Sequence, residues 1–244
     1  EDAQRTIRLR TLEAQYYRAL IQNDIGKTHL TKKIKTFWSG SGCRDISVVL
    51  PYSRIIGHAS TLAEQIPQRA LLADASIKIW QKEPINGSVE VFDFSAQLEK
   101  CIPLDDLNLF IDNGVEQYLF GLREQCLPNE TGGVLLGYYD FNIKAVIIVS
   151  ALPAPLDSIA TPTSFKRGTY DLAQIVQEAS ERTMGMVGYI GEWHSHPNGS
   201  STSMSQDDIA QLSYLAQGMA EDGLPAISLI IGETDFQVYK GAVK

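Results

Sequence analysis

Two of the four histidines in this 244-residue chain stand two positions apart, in Gly191-Glu-Trp-His-Ser-His-Pro197. The run leading to them, residues 186–194, reads as a β-strand, and on a strand residues i and i+2 project from one face. His194 and His196 can therefore offer two imidazoles to one ion, a chelating pattern. The plainer alternative is a pair of histidines that satisfies a polar sheet edge. After a Ser-rich loop (Asn198–Ser203), Ser205-Gln-Asp-Asp208 opens a helix whose apolar stripe runs Ile209, Leu212, Leu215, Met219. A carboxylate on that first turn can reach back as a third, oxygen ligand. The same residues also spell a capping box, with Ser205 as N-cap and Asp208 at N3, and the two roles do not exclude each other. Upstream, Asn129-Glu130-Thr-Gly-Gly-Val-Leu-Leu-Gly137 puts one acidic residue where a helix gives way to an apolar strand. Taken alone, Glu130 is an exposed strand-edge carboxylate, followed by glycines that permit tight packing or close backbone approach.

Regular elements must carry these residues. Val115, Tyr118, Leu119, Leu122 and Cys126 recur at helical spacing and predict a helix over 114–126. The strands Gly133–Tyr139 and Ala145–Ser150 follow, then a Pro-rich loop (152–162) and a helix over 168–182 with Leu172, Ile175, Val176 and Ala179 on one face. The histidine strand, the helix over 205–220 and the closing strands Ala226–Ile231 and Phe236–Tyr239 complete the order. Alternation of this kind predicts an α/β fold, a mixed β-sheet flanked by helices. N-terminal to it, a smaller α+β region is expected. It would hold helices over 6–22 and 54–68, then the strands Ser76–Trp80 and Ser88–Phe92 joined by Pro84-Ile-Asn-Gly87 turn chemistry. The boundary is expected near 103–112, giving parts 1–111 and 112–244.

Glu130-Thr-Gly-Gly-Val-Leu-Leu-Gly137, His194-Ser-His196-Pro197 and Ser205-Gln-Asp-Asp208 together resemble the JAMM (MPN-plus) zinc metalloprotease family, in its prokaryotic branch, over about residues 112–244. The order of the pieces and the 64-residue step from Glu130 to His194 both agree. The resemblance implies the cytidine-deaminase-like fold of that family. It also implies one Zn(2+) held by His194, His196 and an aspartate, with water as fourth ligand. Glu130 would be the general base, and Ser205 would hydrogen-bond the tetrahedral oxyanion. The implied reaction cleaves peptide or isopeptide bonds after the C-terminal tail of a ubiquitin-like protein, for maturation or deconjugation. The family's usual spacing from the second histidine lands on Asp207, which would leave Met204 in the serine position. A loop longer by one residue recovers Ser205 and Asp208 together, and Asp208 is preferred because loops absorb insertions more easily than a helical turn changes register. Two alternatives remain: a zinc amidase acting on a small or sulfur-carrier-linked substrate, and a non-catalytic MPN scaffold.

Ser39-Gly-Ser-Gly-Cys-Arg-Asp45, leading through Val48-Val-Leu-Pro-Tyr-Ser53, resembles the tail of a ThiF-type ubiquitin-activating protein fused to a JAMM domain, with a conjugating-type enzyme as a further partner. No G-x-G-x-x-G turn occurs, so ATP binding is not expected. Twenty-one Lys plus Arg against 29 Asp plus Glu give a net charge of −8, which disfavours a nucleic-acid backbone as partner. No apolar run approaches a bilayer-spanning length, so no membrane role is expected. Cys43, Cys101 and Cys126 are odd in number and widely spaced, which fits a reducing cytoplasm, and Cys126 is expected as a small buried hydrophobe. His29 and His58 read as surface or packing residues. Glu1 in place of Met and the missing basic leader predict a piece excised from a longer product.

Overall fold

A computed structural model of the chain describes residues 2–22, 76–82, 89–95 and 99–243. The expected helix over 54–68, the Ser39–Asp45 segment, His29 and His58 lie outside them. The chain divides into two compact units, 1–96 with 178–186, and 97–177 with 187–244. The first holds helix α1 (Asp2–Ile21), which is buried on all sides from Thr11 to Tyr17, with Leu20 buried one turn on. It also holds strands β1 (Ser76–Lys82) and β2 (Val89–Ser95), paired antiparallel.

The second unit is built on a seven-stranded sheet. In chain order its strands are β3 (Glu99–Leu104), β4 (Leu107–Asp112), β5 (Gly132–Asp140), β6 (Ala145–Leu152), β9 (Gly188–Ser195), β10 (Ala226–Ile231) and β11 (Phe236–Gly241). Their spatial order is β11-β10-β9-β5-β6-β4-β3. The β10/β9 and β4/β6 pairs are parallel and the others antiparallel, so the sheet is mixed and the fold α/β, as the alternation of elements predicts. Strands β3 and β4 begin N-terminal to the expected boundary, so the sheet reaches back to Glu99. The Pro-rich segment carries a small hairpin, β7 (Ile159–Thr161) and β8 (Ser164–Lys166).

Helix α2 (Asn113–Cys126) starts at an Asp112 N-cap that accepts the Val115 amide. It covers one core, in which Val115 and Leu119 pack with Leu135, Ile148, Ile190, Trp193, Leu229 and Ile231. Helix α3 (Leu172–Arg182) precedes β9. Helix α4 (Gln206–Ala220) covers a second core through Leu212, Ala216 and Met219. Cys126 departs from expectation and is exposed. The buried stripe of α2 runs Val115, Leu119, Arg123 and ends there, one turn short of the cysteine. Among the described residues no helix is long and apolar enough to cross a membrane.

One irregularity decides which side chains face outward. Leu135 pairs with Gly191 but Leu136 pairs with Tyr189, so β9 carries one extra residue, a β-bulge. Strict alternation from buried Ile190 would send Glu192 and His194 into the core. The bulge resets the parity, so Ile190 and Trp193 both pack inward while Glu192 and His194 face the cleft. Gly191 adopts φ +152°, and a Cβ there would meet the Ile227 carbonyl oxygen at 1.8 Å. Only glycine fits.

Candidate metal centre

His194 sits near the C-terminal end of β9, opposite Gly132 of β5 and Ile230 of β10. His196 follows one residue beyond the strand, its amide donating to the Ile231 carbonyl at 2.8 Å. The two Nε2 atoms lie 3.2 Å apart, and His194 Nε2 is also 3.2 Å from Asp208 Oδ1. These three are the residues the structure brings together as candidate ligands, their donor atoms within 4.8 Å of one another. Asp207 is exposed and outside this group, though it lines the same cleft.

Local chemistry aims each donor. His196 Nδ1 is 2.5 Å from the Ser201 carbonyl, which can only accept, so the proton belongs on Nδ1 and Nε2 keeps its lone pair. Asp208 divides its oxygens. Oδ2 accepts from the Ser205 amide (2.8 Å) and the Ser205 hydroxyl (2.7 Å), while Oδ1 faces His194. The capping box is complete, with Ser205 Oγ also accepting the Asp208 amide. Capping and ligand geometry thus coexist in one carboxylate. Burial alone would raise the Asp208 pKa, but the bonds from His194 and Ser205 outweigh it and hold the group well below the usual carboxylate range.

The donor set fits zinc. With both rings neutral, three electron-pair donors share at most one proton, an arrangement that a cation satisfies. Ligands about 2.0–2.1 Å from a tetrahedral ion stand roughly 3.3 Å from one another. The 3.2 Å separations match that spacing before any ion is added.

Glu130 lines the same cleft. Thr131 and Ser195, both buried, hold it there. The Ser195 amide donates to the Thr131 carbonyl (2.7 Å), and the Thr131 amide donates to Ser195 Oγ (3.0 Å). The Glu130 amide in turn donates to the Thr161 carbonyl of β7 (2.9 Å). Burial raises the Glu130 pKa above its ordinary 4.5, an effect partly offset by the two histidines. The cleft measures about 670 Å³, and hairpin β7–β8, the end of β9 and the start of α4 wall it. Phe165 packs the hairpin onto the sheet at Gly132, where a Cβ would meet its ring at 2.6 Å. Farther along, Glu192 Oε1 accepts from Arg167 at 2.7 Å and Oε2 accepts from Gln211 at 3.3 Å.

Sequence reasoning passed over Thr131, Ser195, Arg167, Glu192 and Arg123. The i+2 spacing of Glu192 from His194 carried a signal, since both share a strand face. Arg123 carried one too, since the four-residue step from Val115 through Leu119 lands on it. Thr131, Ser195 and Arg167 act through contacts between residues distant in sequence and had none.

Residues 114–241, more than half of the chain, match the family described as prokaryotic homologs of the JAB domain. The chain is 36% identical over 111 residues to a protein of Enterobacter hormaechei subsp. hoffmannii (strain UCI 50) named CD-NTase/cGAS isopeptidase. That match takes in 44% of this chain and 59% of the relative, so the chain spans less than two thirds of that protein. Among solved structures, the solution structure of protein DSY2949 from Desulfitobacterium hafniense is 20% identical, with a TM-score of 0.36, over 54% of this chain and 88% of that one.

Proposed function

The chain belongs to the family of prokaryotic homologs of the JAB domain, and from that premise we propose that residues 112–244 form a JAMM-type zinc isopeptidase. In this reading it cleaves after the C-terminal tail of a ubiquitin-like protein, within a bacterial conjugation system and in the cytoplasm. The isopeptidase name of the Enterobacter relative supports the reaction class. The observation that carries the reading is the convergence of His194, His196 and Asp208 in a cleft that Glu130 also lines.

His194, His196 and Asp208 would hold the zinc, which supplies Lewis-acid activation of water and of the scissile carbonyl when bound. Glu130, ionised, accepts the proton of the attacking water on a carboxylate oxygen and passes it to the leaving amine nitrogen. Its partial burial leaves the carboxylate weakly solvated and its basicity raised. Ser205 has two tasks. Its hydroxyl donates to Asp208 and steadies that ligand. To donate to the oxyanion instead, its hydrogen swings about the Cβ–Oγ bond away from Asp208, which the Ser205 amide still holds. An extended tail lies along the hairpin wall through main-chain pairing. Residues 1–111 are assigned to the tail of a ThiF-type fusion in the same proposal.

The test is a cleavage assay with purified chain, full-length ubiquitin-like modifiers carrying a C-terminal extension or a lysine-linked partner, and short peptide amides as controls. We expect about one zinc per chain, loss of cleavage on chelation and recovery on adding zinc. Glu130→Gln should keep its zinc yet lose on the order of a hundredfold or more in rate. Preference for short amides would favour the small-substrate amidase, and a zinc-loaded chain that cleaves nothing would favour the scaffold. Near-normal turnover by zinc-loaded Glu130→Gln would remove Glu130 from the mechanism.

A further inference from the structure

Arginine 123 breaks the pattern of its own helix. On α2 the covered positions step Val115, Leu119, Arg123, and the third is a guanidinium, 2% exposed, where the spacing calls for an apolar side chain. Burying a guanidinium costs free energy unless its donors are satisfied. Here Nε donates to the His196 carbonyl at 2.9 Å and Nη2 donates to Asn198 Oδ1 at 2.6 Å. Both acceptors are neutral and belong to the turn that follows β9. That turn contains Pro197, which has no amide to donate, so sheet pairing cannot continue through it.

With the arginine in place, His196 is held at three atoms. Its amide is bound to Ile231, its carbonyl to Arg123 and its Nδ1 to Ser201, which leaves Nε2 at the cleft, 3.2 Å from His194 Nε2. Asn198, the second point of the fork, lies between His196 and the Ser201 carbonyl that orients the ring. A planar two-pronged donor suits this task because it fixes the carbonyl and the asparagine in one rigid relation.

We propose that Arg123 is the positioning residue of the metal centre. In this role it presets the His196 ring from the opposite side of the turn, and it acts through His196 without touching metal or substrate. The proposal rests on the metal-centre reading above. It predicts that removing the fork loosens a ligand, whereas a purely structural anchor would alter folding alone.

The experiment uses the whole chain with zinc as probe. Zinc affinity is measured by competition with a chromophoric chelator, and thermal melting is recorded with and without the ion. Arg123→Met fills the buried site without a donor and should weaken zinc binding by about ten- to a hundredfold, the range for loss of an outer-shell partner. The zinc-induced rise in Tm should shrink with it. Arg123→Lys, with one compact ammonium that can satisfy one acceptor, should recover part of the loss. Asn198→Ala, which keeps the Nε bond, should weaken zinc binding a few-fold. Arg123→Met with wild-type affinity and a wild-type zinc-induced shift would overturn the proposal, even if its metal-free Tm fell. Should Arg123→Met fail to fold, Asn198→Ala decides: wild-type affinity overturns the proposal, and weakened affinity in a folded protein supports it. A wild-type chain that bound no zinc would instead overturn the metal-centre reading itself.

Discussion

Replacing Gly191 with alanine tests the reasoning that links the bulge in β9 to the centre. The added Cβ would stand 1.8 Å from the Ile227 oxygen, 2.7 Å from its carbonyl carbon and 2.8 Å from its nitrogen. All three are backbone atoms of β10, locked in the parallel β10/β9 ladder, so no side-chain rotation relieves the clash. A non-glycine residue at φ +152° adds strain of about 1–3 kcal/mol. Overpacking adds about 1–3 kcal/mol more. The total, about 2–6 kcal/mol, is a large part of an ordinary domain stability of about 5–15 kcal/mol. The expected lowering of Tm is on the order of 5–20 °C. Gly199→Ala is the internal control, since Gly199 has φ +77° but open space around its missing Cβ. It should lose only the left-handed penalty, roughly 1–2 kcal/mol. Urea unfolding of both variants, followed by circular dichroism, gives the comparison, and zinc binding by Gly191→Ala should fall because the parity of His194 depends on the bulge. Equal losses in the two variants, or a Gly191→Ala protein within about 0.5 kcal/mol of wild type, would refute the argument.

Asp208→Ala should lose zinc while Asp207→Ala keeps it, as measured by metal analysis, since Asp208 alone of the pair has an oxygen 3.2 Å from His194. The reverse result would restore the shorter spacing and leave Asp208 as a helix cap. Ser205→Ala should cost about 1 kcal/mol through the lost cap and should also weaken zinc binding, because Asp208 loses the hydroxyl donor at 2.7 Å. Unchanged affinity would show that the amide from Ser205 is sufficient. Glu130 makes a pH-dependent prediction for the metal-free protein. Its folded pKa is raised, so ionising it opposes folding, and that penalty is absent below the unfolded value and complete above the folded one. Glu130→Gln should therefore be more stable than wild type in urea at pH 7, with the gain disappearing below about pH 4. A gain that persisted under acid would mean that solvation of Glu130 is not its cause.

Much of the centre is written in short stretches of chain. The same-face projection of His194 and His196 follows from strand periodicity over three residues. The Ser205–Asp208 box follows from the unpaired amides of a helix start, which depend on the nearest four residues. The mixed sheet flanked by helices was legible because each strand and helix carries its own hydrophobic period, and boundaries differ by a few residues where local hydrogen bonds end an element. Strands β3 and β4 were not, because their apolar residues alternate too weakly against Pro103 and Asp105-Asp106; β4 gains its order from pairing with β6, and β3 from pairing with β4. Only tertiary packing could decide the rest. Pattern predicted neither which face of β9 the histidines take nor that Cys126 stays exposed. The first depends on one extra residue opposite β5, and the second on where the buried stripe of α2 ends. The separation of Asp208 from Asp207 depends on which carboxylate the capping turn aims at His194. Glu130 comes to the cleft by the Thr131–Ser195 pair, and Arg123 reaches His196 across 73 residues of chain. Periodicity reports on the surroundings a segment needs, whereas these contacts depend on which segments meet, and chain distance carries no record of that.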